Sequence, residues 1–131
     1  MKRLLILVFG VLFCVSPCRG QVKLDETTET LVRACQDAIK FPSAEEIKKA
    51  PATEQGAISF NAAYCMGYFT GVLDLNALFG GLLFCPPKNN LPRNDAIKIF
   101  LTYATGQPEF LREPSRSIVA SSLADVYPCQ R

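Results

Sequence analysis

The sequence predicts an all-α domain of four to five helices, stapled by two disulfides and preceded by a cleaved signal peptide. Three observations carry this. Apolar residues recur at helical spacing along most of the chain, and no alternating apolar/polar run is long enough to argue for a sheet. The N-terminus reads as an export signal, residues 1–20, leaving a single helical domain over residues 21–131. Beyond it lie four cysteines, Cys35, Cys65, Cys85 and Cys129, and an even count in an exported chain reads as two disulfides.

In the signal, Lys2 and Arg3 form the basic start, Leu4 to Val15 the apolar core and Ser16 to Gly20 a small-residue cleavage zone. Cleavage after Gly20 gives a mature chain that begins at Gln21 in the periplasm. Cys14 and Cys18 would be the positions for a lipid anchor, but Phe13 and Pro17 are poor neighbours for lipidation, so soluble export is expected. The apolar core is too short for a permanent membrane span. Of the chain's 14 Lys and Arg, three (Lys2, Arg3 and Arg19) leave with the signal, so 11 face 12 Asp and Glu. The mature form is close to neutral, with no basic stripe to read nucleic acid. Its 111 residues suffice for one modest core helped by covalent staples.

The first mature helix is expected over Asp25 to Lys40. Leu31, Val32, Cys35, Ala38 and Ile39 make one apolar stripe, and Asp25, Glu26 and Glu29 suit the positive end of its dipole. Phe41-Pro42 ends it. Ser43-Ala44-Glu45-Glu46 is a capping-box pattern that opens a short polar helix, Ser43 to Ala50, before a Pro51–Gly56 loop.

Ile58 to Pro87 then runs thirty residues with one charge, Asp74. Ile58 to Phe79 has the length of one long helix, and Gly80-Gly81 stops it. On a helical wheel Gly67, Gly71, Asp74 and Leu78 share one narrow arc, opposite Cys65, Phe69, Val72 and Asn76. A helix apolar all round is expected to be covered all round. That makes it the central post, with Gly67 and Gly71 admitting a close neighbour. A membrane span is the rival reading, because Gly-x-x-x-Gly also marks membrane helices that pair. Asp74 near mid-bilayer would cost about 2.5–3.5 kcal/mol, and Asn61 and Asn76 add to that. No membrane span is expected in the mature chain.

Cys85-Pro86-Pro87-Lys88-Asn89-Asn90 reads as an extended link, and Pro92 suits the first turn of the next helix. That helix has the stripe Ala96, Ile97, Phe100, Leu101 and Ala104, and Gly106-Gln107-Pro108 ends it. Pro108 to Arg112 can form one helical turn. Ser115 is read as the cap of the last helix, whose stripe is Ile118, Val119, Ser122, Leu123, Val126 and Tyr127, before Pro128 and Cys129. If consecutive long helices form antiparallel hairpins, Cys35 pairs with Cys65 and Cys85 with Cys129. Pairing Cys65 with Cys85 would force the chain to double back roughly 20 Å within about five residues.

The chain contains no histidine, which removes the ordinary activation of serine and cysteine nucleophiles and the commonest zinc ligand. The cysteine gaps of 29, 19 and 43 residues include no close pair of the kind zinc sites use. No glycine-rich phosphate loop is present. No catalysis, metal or cofactor is expected. Asp74 could serve as a general base on a buried helix, though such a residue more often meets a basic neighbour or the surface.

One set of motifs adds an identity to this reading. Cys65-x-Gly67-Tyr68-x-x-Gly71-Val72, Cys85-Pro86-Pro87, Pro108-Glu109 and Tyr127-Pro128-Cys129, with a leading helix from Leu31 to Cys35, resemble the Rap/Tai family of type VI secretion amidase immunity proteins. The resemblance spans Leu31 to Cys129. Two departures stand out: Gln107 occupies a position that is usually His, and Pro92 one that is often a capping Thr. The resemblance implies a homodimeric periplasmic protein that binds and blocks a secreted cell-wall amidase effector. Gln107, Glu109, Arg112 and Glu113, in the Gln107–Ser115 connection, are expected as polar partner contacts; alternatively they only join two helices. Read from the residues alone, a small periplasmic acid-stress chaperone or a lipid-binding module suits the chain as well.

Overall fold

In a computed structural model of the chain, residues 26–87 and 90–130 are described. The expected signal peptide, the Gln21 start and any lipidation at Cys14 or Cys18 lie outside these residues. The described part is all-helical: α1 (Thr28–Lys40), α2 (Ala44–Lys48), α3 (Gln55–Leu78), α4 (Arg93–Thr105), a 3₁₀ segment (Pro108–Arg112) and α5 (Ser115–Val126). Among the described residues the only strand-like pairing is one isolated bridge between Thr27 and Pro114.

Each helix follows from local sequence. α1 buries Leu31, Val32, Ala34, Cys35 and Ala38 along the expected stripe, while Ile39 at its edge stays exposed. Ser43 caps α2, its hydroxyl accepting from Glu46 N at 3.3 Å. α4 buries Ala96, Ile97, Phe100 and Ala104. Pro92 stands at the N-cap of α4, one position earlier than a first-turn proline. α5 departs from expectation at its start. Pro114 holds the cap position, and Ser115 is the first helical residue, buried and without a side-chain capping bond.

Both disulfides form as the hairpin geometry predicts. Cys35 pairs with Cys65 and Cys85 with Cys129, with Cα–Cα distances of 5.1 and 4.9 Å. The first ties α1 to α3, which run antiparallel: Asp37 meets Asn61 two residues along, its carboxylate accepting from the amide at 2.8 Å. The core assembles where α1, α3, α4 and α5 converge, around Leu31, Phe69, Phe84, Ile97, Phe100 and Leu123. Phe69 and Phe100 pack with ring centroids 5.6 Å apart.

The centre of this arrangement is α1, which touches α3, α4, α5 and the 3₁₀ segment. The expectation that α3 would be covered all round does not hold. It buries only Ile58, Cys65, Phe69 and Asn76 in 24 residues, all on the arc opposite Gly67 and Gly71. A Cβ added at either glycine would meet nothing within 4 Å, so no neighbour in this chain uses the close approach they offer. No described helix is long and apolar enough to cross a membrane.

Candidate functional site

Among the described residues no cluster of three or more His, Cys, Asp or Glu side chains could hold a metal ion. All four cysteines among the described residues are in disulfides. Every buried side-chain nitrogen or oxygen described has a hydrogen-bond partner. What the molecule offers is surface, in two places held rigid by the fold.

The first is the α4–α5 connection. Gln107, Glu109, Arg112 and Glu113 are all exposed on it. Two kinds of anchor hold the segment beneath them. Phe110 turns inward and stacks on Tyr103, with centroids 5.2 Å apart and planes within 12°. The backbone is tied to the start of α1. Thr28, fully buried, donates to Glu113 O from its amide at 2.9 Å and its hydroxyl at 2.8 Å, and Ser115 N donates to Glu26 O at 3.1 Å. A short exposed loop whose far end is bonded to Glu26 and Thr28 at the start of α1, with Phe110 stacked inward, loses little entropy when a partner engages it. The four side chains that the sequence singles out therefore lie together on one pre-ordered polar segment. The anchoring residues Thr28, Tyr103 and Phe110 escaped sequence reasoning. Thr28 sits 85 residues from its partner, and no local pattern marks that pairing.

The second surface is the outward face of α3 and the turn that follows. Gly67, Gly71 and Asp74 are exposed there, as are Phe60 at 71% and Leu78 at 77%. The turn is fixed from below by Asn76, which is buried. Its amide nitrogen donates to Phe84 O at 2.9 Å, and its oxygen accepts from Leu83 N at 3.0 Å and Phe84 N at 3.3 Å. Gly80 and Gly81 adopt φ of 67° and 82°, a region that favours glycine. This geometry reverses the chain into Cys85, whose N–H bonds Tyr127 O at 2.9 Å beside the second disulfide. Pro86 is buried and Pro87 exposed. Asp74 and Pro86 share a hollow of about 150 Å³ with Asn76, Phe84 and Leu91.

On the flank of α3 a line of polar bonds joins it to its neighbours. Tyr64 donates to a Glu26 carboxylate oxygen, and Tyr68 lies 3.4 Å from the Ser115 hydroxyl. Burial pushes the Tyr64 phenol well above its ordinary range, and the Glu26 carboxylate adds to this. Tyr68 is also raised, first by burial, with the Ser115 hydrogen bond opposing. Both phenols are therefore neutral at physiological pH, suited to holding elements together. Between α4 and α5 lies an open apolar groove of about 350 Å³, lined by Ile99, Tyr103 and Val126 with Lys98 and Asp125 at its rim.

No curated protein and no solved structure matches the chain. The profile of the family described as Rap1a immunity proteins does match, over residues 27–129, from just before α1 to the last cysteine. The matched region takes in every described helix, both disulfides and both surfaces, and the chain therefore belongs to the Rap1a immunity protein family.

Proposed function

We propose that this protein is a periplasmic immunity protein that binds a cell-wall amidase delivered by type VI secretion and occludes its substrate groove. The family match over residues 27–129 carries the reading, because immunity proteins act by binding a toxin. The amidase, the export and a homodimeric state are supported by the sequence resemblance, by the Lys2-Arg3 and Leu4–Val15 signal pattern and by two disulfides, which persist in oxidising compartments. The protein acts stoichiometrically. Its action is occupancy of a surface, with no bond made or broken on this chain.

In this reading the α4–α5 connection supplies the polar contacts. Gln107, Glu109, Arg112 and Glu113 project from a segment already fixed to α1 and to Tyr103, so binding orders side chains rather than backbone. The test is protection. The cognate amidase is sent to the periplasm with and without this protein, and with a Gln107→Ala/Glu109→Ala/Arg112→Ala variant. Survival with the wild type, and lysis with a variant that still folds, supports both function and surface. Equal lysis with and without the wild type overturns the reading.

A further inference from the structure

The two disulfides differ in what stands between their sulfurs and solvent. Cys35 and Cys65 have no exposed surface, and the bond they share lies between α1 and α3 among the core side chains. An outside thiolate reaches it only if those helices separate. Cys85 is exposed and Cys129 half-buried, one on the turn after α3 and the other just beyond α5. Access decides which disulfide an outside thiolate attacks.

We infer that Cys85–Cys129 is a site of thiol–disulfide exchange, opened by an external dithiol while Cys35–Cys65 and the helices stay closed. One thiolate of the dithiol attacks Sγ of Cys85, the more exposed of the pair, and the Cys85–Cys129 bond breaks. A new bond joins Cys85 to the attacking sulfur. The electron pair leaves on Cys129 Sγ, which takes a proton from water. The second sulfur of the dithiol then attacks the mixed disulfide and releases Cys85 as a thiolate, which is protonated in turn. Two electrons pass to the cysteine pair, and the dithiol ends as a disulfide.

Two features around the bond suit this exchange. Gly81 stands against the Cys85 sulfur: a Cβ there would lie 3.2 Å from Sγ, so glycine leaves that flank of the sulfur bare. The Gly81 carbonyl oxygen is 3.3 Å from both sulfurs. A disulfide has no hydrogen to offer it, whereas either thiol made by reduction is placed to donate to it.

The same neighbourhood confines the change. Phe84 and Pro86, on either side of Cys85, are buried, and Asn76 holds Leu83 and Phe84 by three hydrogen bonds. Leu123, fully buried, anchors α5. The residues past α5 are fastened to the turn by the disulfide and by the Cys85 N–H bond to Tyr127 O at 2.9 Å. Once the disulfide opens, that single bond is left, so Tyr127–Gln130 comes away while the turn keeps its shape.

This site rests on the two disulfides and stands or falls apart from the amidase. The experiment is reduction of the oxidised, exported protein with dithiothreitol, quenched at intervals by alkylation and read by peptide mass. Cys85 and Cys129 are expected to label roughly 100-fold faster than Cys35 and Cys65, with the helical signal undiminished. In protein open at this pair alone, the Cys85 amide should lose its protection from hydrogen exchange while the Phe84 amide keeps its own. Labelling of all four cysteines at one rate, or of Cys35 and Cys65 first, overturns the inference. Loss of helical signal or of Phe84 protection when only Cys85–Cys129 is open also overturns it, because that bond would then hold the whole fold. A Cys85 amide that stays protected overturns the release of Tyr127–Gln130.

Discussion

Helices α1 and α3 invert what their hydrophobicity suggests. α3 is the longer and more apolar, yet it buries four residues in 24, whereas α1, studded with charges, buries six in 13. The difference lies in pattern. In α1 the apolar residues form one stripe with Glu29, Arg33 and Lys40 on the other side, so burial is confined to a face that α3, α4 and α5 can cover. In α3 apolar residues point in every direction, and the domain has only enough neighbours for one side. Uniform hydrophobicity states a demand for cover without saying that the same chain meets it. Surplus apolar surface held on a rigid helix is a signal of interaction rather than of centrality.

The comparison can be broken experimentally, beginning with the staple that joins the two helices. Replacing Cys35 and Cys65 together by alanine opens a loop with a sequence separation of 30 and should cost about 3.6 kcal/mol in the chain-entropy model. The Cys85/Cys129 pair, with a separation of 44, should cost about 4.0 kcal/mol. Urea unfolding of each variant measures both, and a loss under about 1 kcal/mol for either would show a staple with little to constrain.

Leucine truncation separates the helices more directly. Leu31→Ala in α1 removes a side chain with no exposed surface at the meeting point of the core, and a loss of about 3 kcal/mol is expected. Leu78→Ala in α3 trims an exposed side chain and should change protomer stability by less than about 0.5 kcal/mol. Equal effects would remove the distinction drawn between α1 and α3. Between these lies Asn76→Ala. It deprives the turn after α3 of three hydrogen bonds, two of them fully buried, and should cost about 2 kcal/mol.

The smallest effect concerns the tyrosines that fasten the flank of α3. Burial raises both Tyr64 and Tyr68 above their ordinary value, so in the unfolded chain they ionise first, at about pH 10. Stability from these groups is complete below that pH and is lost progressively as pH rises from it toward the higher folded values. The thermal midpoint should therefore fall above about pH 10, and fall less steeply in Tyr64→Phe. An identical decline in that variant would place the pH dependence elsewhere.

Much of the fold was legible because its signals are local. The stripes of α1 and α4, the capping serine before α2 and the glycine stop after α3 each depend on residues within a turn or two of one another. The disulfide pairing followed from helix length and hairpin direction, which restrict where a chain of fixed reach can go. What escaped depends on distant contacts. Ser115 has the chemistry of a cap, but Tyr68, 47 residues away, draws its hydroxyl inward while Pro114 takes the cap position. Thr28 fastens the α4–α5 connection from the other end of the domain. The four residues of that connection were visible as polar, three of them charged. Their being held on one pre-ordered segment was not, since it rests on Thr28 and on the Phe110–Tyr103 stack.

The central claim is that this chain acts by occupying a surface of a toxin, mole for mole. It is tested by titrating a fixed amount of the proposed amidase partner with the purified protein and following peptidoglycan hydrolysis. Occlusion predicts activity that falls linearly and reaches zero at one binding site per amidase, with the amidase intact and recovered in a complex. Full activity at large excess would contradict the account. So would inactivation by far less than one equivalent, which would mean turnover on a chain assigned none.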